Sequence, residues 1–148
     1  MEIIPRHTDY AIRALLCLAQ QPQTVVPCGQ VARQYGIPES FAYKILRKLV
    51  VQGLAESRPG RPGGFRLAKP AADISLRQIM EVFQGPIAVS PCVLDHDFCQ
   101  RSAACPVCVK WRQLTSQISQ FLTDVTLQEL LEQQTLCDPK AARNKTRN

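Results

Sequence analysis

No apolar run in the 148 residues approaches the length of about 18 that a membrane-spanning helix needs, which excludes a membrane span read from hydropathy. The start, Met1-Glu2-Ile3-Ile4-Pro5-Arg6, has no charged stretch leading into an apolar one, so no export signal is expected. A soluble, cytoplasmic protein is the expectation. Internal repeats and long low-complexity tracts are absent too, which sets repeat architectures aside. Acidic residues are scarce: 12 Asp and Glu face 18 Lys and Arg, a net charge of +6. That excess raises the prior for an anionic partner without giving it an address. What is present, 45% hydrophobic residues, suffices for the core of one ordinary domain and is too much for a disordered chain.

The charge is regional. Residues 1–70 hold ten basic side chains against Glu2, Asp9, Glu39 and Glu56. Residues 71–138 hold four against eight acids, and the stretch from Pro139 adds Lys140, Arg143, Lys145 and Arg147. Within the first part, Lys44, Arg47, Lys48, Arg58, Arg61, Arg66 and Lys69 face a single acid, Glu56. One face of the N-terminal half is therefore a candidate phosphate-contacting surface.

From Thr8 to Gln20 the residues Ala11, Ile12, Leu15, Leu16, Leu18 and Ala19 recur at helical spacing, with Pro22 just past the end. A short second helix from about Gly29 carries Val31, Ala32 and Tyr35 and stops at Gly36; a third starts after Pro38 with the stripe Phe41, Ile45, Leu46, Leu49 and Val50 and ends at Gly53. Two short helices around a tight Gly-containing turn form a helix-turn-helix, whose second helix can lie in a DNA major groove. Burying Ile45, Leu46 and Leu49 turns Tyr43, Lys44 and Arg47 outward, and with Ser40 and Lys48 they are the expected DNA contacts.

Two short alternating runs, Leu54–Arg58 and Phe65–Ala68, flank Pro59-Gly60-Arg61-Pro62-Gly63-Gly64 and predict a β-hairpin, here a wing. Its tip, with Arg58, Arg61, Gly63 and Gly64, is narrow enough to enter a minor groove. Ser75-Leu-Arg-Gln78 is a capping box for a helix to about Phe83, ended by Gly85-Pro86. Residues 87–106 show neither period and read as a loop that needs a ligand. From Val107 to about Thr123 the set Trp111, Leu114, Ile118, Phe121 and Leu122 predicts a long helix that packs against a second copy of the chain. Thr126-Leu-Gln-Glu129 caps a last helix through Gln133, and the basic tail after it reads as disordered. The expected architecture is mainly α with a small β-wing: a winged helix-turn-helix at 1–86, a cysteine loop and dimerisation helix at 87–134, and a tail at 135–148.

Of seven cysteines, four crowd into 17 residues with the spacing Cys92-x6-Cys99-x5-Cys105-x2-Cys108. Thiolates are soft ligands that can close around an iron–sulfur cluster or a single zinc ion. Zinc sites usually bring two close pairs, whereas only Cys105 and Cys108 are close here, so the spacing favours iron–sulfur over zinc. Four unbound thiols among Asp95, His96, Asp97, Gln100 and Arg101 would be exposed to oxidation. Cys105-Pro-Val-Cys108 also has the form of a dithiol oxidoreductase motif, but no strand precedes it as that chemistry requires, and a binding protein is expected in place of an enzyme. Cys17 is read as packing, while Cys28 and Cys137 are given no role. His7 and His96 are read as solvated, with His96 a possible substitute ligand.

Thr8-Asp-Tyr-Ala-Ile-Arg-Ala-Leu15, the helix-turn-helix of residues 29–52, the wing Arg58–Phe65 and the late cysteines followed by Trp111 together resemble the IscR/NsrR family of bacterial transcription regulators, also called the Rrf-two family. The resemblance covers residues 1–134. It implies a homodimer on double-stranded DNA at a pseudo-palindromic operator, with Cys92, Cys99 and Cys105 carrying a 2Fe–2S or 4Fe–4S cluster. Cys108 stands where an IscR-like protein carries a ligand His, and Asp9 where an NsrR-like protein supplies a carboxylate from the partner subunit. Cys108 is the preferred fourth ligand, with Asp9 the alternative, because four thiolates need nothing from across the dimer. Six residues in place of the usual five between Cys92 and Cys99 leave the cluster type open. Some members keep the fold without a cluster, so zinc or no metal remains the alternative.

Overall fold

The computed structural model describes residues 3–99, 101 and 104–137, with the backbone alone at 96 and 135–137. The tail expected to be disordered therefore lies largely outside the described residues. Helix α1 (Arg6–Ala19) is the central element, because it buries one long face: Ala11, Ala14, Leu15, Cys17 and Leu18 are all fully buried. Helices α2 (Cys28–Tyr35) and α3 (Glu39–Val51) pack on it and on each other. Gly36 closes α2 in the left-handed region, φ 63°, where a side chain is disfavoured, and this lets the chain turn at once into α3. Ile45, Leu46 and Leu49 of α3 face the core as expected. Phe41 does not. It is exposed, while Ala42 is fully buried in a small cluster with Ala32 and Ile37. Ala42 lies on the same helix face as Ile45, Leu46 and Leu49, and Phe41 at the edge of that face.

Strands β1 (Ala55–Arg58) and β2 (Gly64–Leu67) pair antiparallel, Glu56 opposite Arg66 and Arg58 opposite Gly64. The far edge of β2 is partly covered, since Val26 and Phe65 exchange backbone hydrogen bonds of 2.8 and 2.9 Å. Gly64 is required there: a Cβ would stand 2.6 Å from the Val26 carbonyl carbon. Helix α4 (Leu76–Gln84) starts with the predicted box, Ser75 Oγ accepting from the Gln78 N–H while Gln78 Oε1 accepts from the Ser75 N–H.

The segment expected as one loop contains helical turns, α5 (Pro91–Leu94) and a 3-10 turn at His96–Phe98. Proline at the first position of α5 loses no hydrogen bond there, which permits so short a helix. The long helix α6 (Pro106–Asp124) packs on α4 and α5. Helix α7 (Leu127–Cys137) then returns to the first core, with Leu127 fully buried and Leu131 packed beside it. Its entry is fixed by backbone bonds from Leu76 N to Val125 O (2.9 Å) and from Leu127 N to Ile74 O (2.8 Å). The 87–134 segment thus divides between a cysteine-bearing part and a helix that completes the N-terminal core. Among the described residues no helix is long and apolar enough to cross a membrane.

Candidate functional site

The outward face of α3 follows from its buried one. With Ile45, Leu46 and Leu49 turned inward, Ser40, Tyr43, Lys44, Arg47 and Lys48 are all exposed. Tyr43 is joined to the wing, its ring edge-on to Phe65 at 6.1 Å and 74°, so the α3 surface and the hairpin form one continuous face. Lys48 differs from its neighbours, because its ammonium stands 4.9 Å from the centre of the Phe83 ring of α4.

The wing carries a charge arrangement that the run of basic residues did not reveal. Glu56 accepts from Arg58 at 3.3 Å and also pairs with Arg66, so one carboxylate is shared by two guanidinium groups. The Arg66 hydrogen bond, helped by the charge of Arg58, holds the Glu56 carboxyl below the usual carboxylate range. The three side chains keep a net positive charge. Counting cross-strand register from the tip would have placed Glu56 opposite Arg66, so the signal was present in the sequence. Arg61 and Pro62, joined by a cis peptide, sit exposed at the tip. Gly63 is enclosed by the carbonyls of Gly60 and Arg58, and Gly64 by Val26, which gives both glycines a role in hairpin geometry.

The cysteines come together in part. Cys92 on α5 and Cys108 on α6 are in contact: the Cys108 thiol donates to the Cys92 carbonyl at 3.7 Å. The Ser90 hydroxyl, 3.3 Å from Cys92 Sγ, pulls the Cys92 thiol below its ordinary value, while burial pushes Cys108 up. Cys105 is near enough for its charge to act on Cys108. Arg112, one turn beyond Cys108, favours both thiolates, a supporting cation that sequence reasoning missed and that its i+4 spacing from Cys108 would have flagged. Cys99 is half-buried after the 3-10 turn. Among the described residues no three His, Cys, Asp or Glu side chains converge as metal ligands would. The alternative ligand Asp9 is occupied, accepting from Arg13 Nε at 2.7 Å.

Of the remaining cysteines, Cys17 is buried and donates to Gln34 Oε1 at 3.1 Å, with burial raising its thiol. Cys28 opens α2 half-buried and is raised by burial as well. Along α6, Trp111, Leu114 and Phe121 are exposed and Ile118 is half-buried, whereas Leu122, one turn after Ile118, is buried within the chain. Trp111, Leu114 and Ile118 line one wall of an open groove of about 580 Å³, with Met80, Pro86 and Ile87 on the other. The Val89 N–H donates to the buried Thr115 Oγ1 at 3.2 Å and pins the start of the cysteine segment to α6.

Residues 4–133 match the Rrf2 family, described as "Iron-dependent Transcriptional regulator". The chain is 34% identical over 124 residues to the HTH-type transcriptional regulator IscR of Vibrio atlanticus (strain LGP32), covering 83% of this chain and 71% of that one. Among solved structures, T. potens IscR superposes with a TM-score of 0.74 at 21% identity over 91% of this chain and 90% of its own. CymR, the global cysteine regulator of B. subtilis, also gives 0.74 at 21% identity over 89% of this chain and 98% of its own.

Proposed function

This chain belongs to the Rrf2 family of transcriptional regulators, and from that premise we propose that it is a homodimer whose affinity for a pseudo-palindromic operator is set by an iron–sulfur cluster in its cysteine segment. Regulators of this family bind DNA, and the chain is a regulator and not an enzyme. Ser40, Tyr43, Lys44 and Arg47 read the major groove, and Arg58 and Arg61 reach the adjoining backbone or minor groove from the wing. Trp111, Leu114, Ile118 and Phe121 supply the dimer contact.

The observation that carries the reading is the contact of Cys92 with Cys108, with Cys105 beside them and Arg112 supporting the thiolate form. The donor set suits the group: four soft thiols between residues 92 and 108 on a segment with little core of its own. Cys92, Cys99, Cys105 and Cys108 hold it from one chain. Asp9 is the weaker candidate, since it would have to give up Arg13 to reach a metal. A bound iron–sulfur cluster supplies a response to oxidants, nitric oxide or iron supply. The chain's own part is to hold α5 and the following turn against the start of α6, one arrangement of two between which DNA affinity differs.

A second reading keeps the fold and the DNA contact but leaves the thiols free or gives them zinc. It is favoured by the lack, among the described residues, of any three converging ligands. Anaerobic purification followed by an absorption spectrum and iron, sulfide and zinc analysis separates the two. Coloured protein with matching iron and sulfide supports the cluster; colourless protein with stoichiometric zinc sinks it. Cys108→Ala is expected to lose the spectrum and Asp9→Ala to keep it, and the reverse pattern would transfer the fourth ligand to Asp9.

A further inference from the structure

We propose that Lys48 is a positioning residue that ties the DNA-reading helix to the root of the cysteine segment through Phe83, and makes no phosphate contact itself. The inference rests on the reading of α3 as the DNA-contacting helix. Lys48 stands one turn after Lys44 and about 40° further round α3, at the edge of the exposed face that borders α4. Its Nζ lies 4.9 Å from the Phe83 ring centroid, inside the roughly 6 Å reach of a cation–π contact.

The ring is held from several sides. Phe83 packs against the buried core, and the His7 ring from the start of α1 lies 6.0 Å away at 49°. The next residue, Gln84, donates from Nε2 to the fully buried Thr8 Oγ1 at 3.1 Å. Gly85 then ends α4 at φ 76°, and Pro86 and Ile87 lead into the cysteine segment. Phe83 is thus the last ring before the chain leaves for Cys92, and it touches both the start of α1 and the end of α3. A shift at this root moves the surface under Lys48 and with it the C-terminal half of α3. An ammonium seated on that ring is withdrawn from the phosphate-facing set, so removing it changes how α3 is held without changing how many phosphates are neutralised.

The test is the salt dependence of binding by the full-length protein to one duplex that it has itself selected from a random-sequence pool. Arg47→Ala should lower the slope of log affinity against log salt by about 0.9, the loss of one phosphate contact. Lys48→Ala should leave the slope unchanged and weaken binding by about two- to five-fold at every salt concentration, the fold-change of an exposed cation–π contact. Phe83→Leu should do the same, and the double variant Lys48→Ala/Phe83→Leu should be no weaker than either single one. If Phe83→Leu fails to fold, the surface substitution Lys48→Ala still decides. A slope lowered by Lys48→Ala as much as by Arg47→Ala makes Lys48 a phosphate contact and overturns the proposal, while the reading of α3 stands. An unchanged slope in both variants overturns the reading of α3 and the proposal with it.

Discussion

The winged-helix part and the cysteine-bearing part of this chain treat their apolar side chains in opposite ways. Around α1 a core closes within the chain, with Leu15, Leu18, Val26, Leu46, Leu49 and Ile74 all fully buried, while Phe41, Tyr43 and Val51 of α3 stay exposed. Across residues 87–124, among those described, Cys108, Thr115 and Leu122 are buried, while Val89, Leu94, Phe98, Val107, Val109, Trp111, Leu114 and Phe121 remain exposed. Exposed apolar side chains in such number mark a surface that functions covered. The first part closes by itself; the second is completed by what we propose to be a second copy and a metal centre.

The strongest challenge to the comparison is Leu127→Ala. Leu127 lies beyond the cysteine segment in sequence but belongs to the first core, so its loss should cost about 2–5 kcal/mol in denaturant unfolding. A negligible cost would mean that α7 is not part of that core. Next, Gly64→Ala should cost about 1–3 kcal/mol, because the new methyl meets the Val26 backbone, which cannot move away as a flexible side chain would. Phe121→Ser should leave the unfolding free energy of the single chain within about 0.5 kcal/mol while weakening self-association in sedimentation. If it destabilises the chain as Leu127→Ala does, the contrast between the two parts is wrong.

The smallest effect sharpens the cysteine part alone. A lowered thiol holds more thiolate at any given pH, so in metal-free protein Cys92 should be alkylated before Cys108 as pH rises toward the ordinary thiol range. Mass spectrometry of iodoacetamide-treated protein reads the order. Simultaneous labelling would indicate that the Ser90 hydrogen bond and the burial of Cys108 do not distinguish the two thiols.

Much of this was legible because it is local chemistry. The α1 stripe, Gly36 as a helix stop, the Ser75–Gln78 box and the hairpin around Gly60–Gly64 each depend on residues within a few positions of one another. Ala42 stands three, four and seven residues before Ile45, Leu46 and Leu49 and so shares their buried stripe, while the larger Phe41 falls at its edge. The rest of what escaped depends on packing at long range. Leu122 fits the apolar spacing of α6 as well as Phe121 does, yet the packing of that helix turns it inward. The return of α7 and the seat of Lys48 on Phe83 join residues that no periodicity connects. The cysteine spacing pointed to a ligand site, and the structure adds which two thiols meet and which cation favours their charged form.

Control of DNA affinity by the cysteine segment, as we propose it, is read by titrating one self-selected duplex with the anaerobically purified protein before and after its iron is removed. Iron-loaded protein is expected to bind with an affinity at least about five-fold different from that of the iron-free form, the lower end of ordinary allosteric coupling. Equal affinity in the two forms would rule that control out.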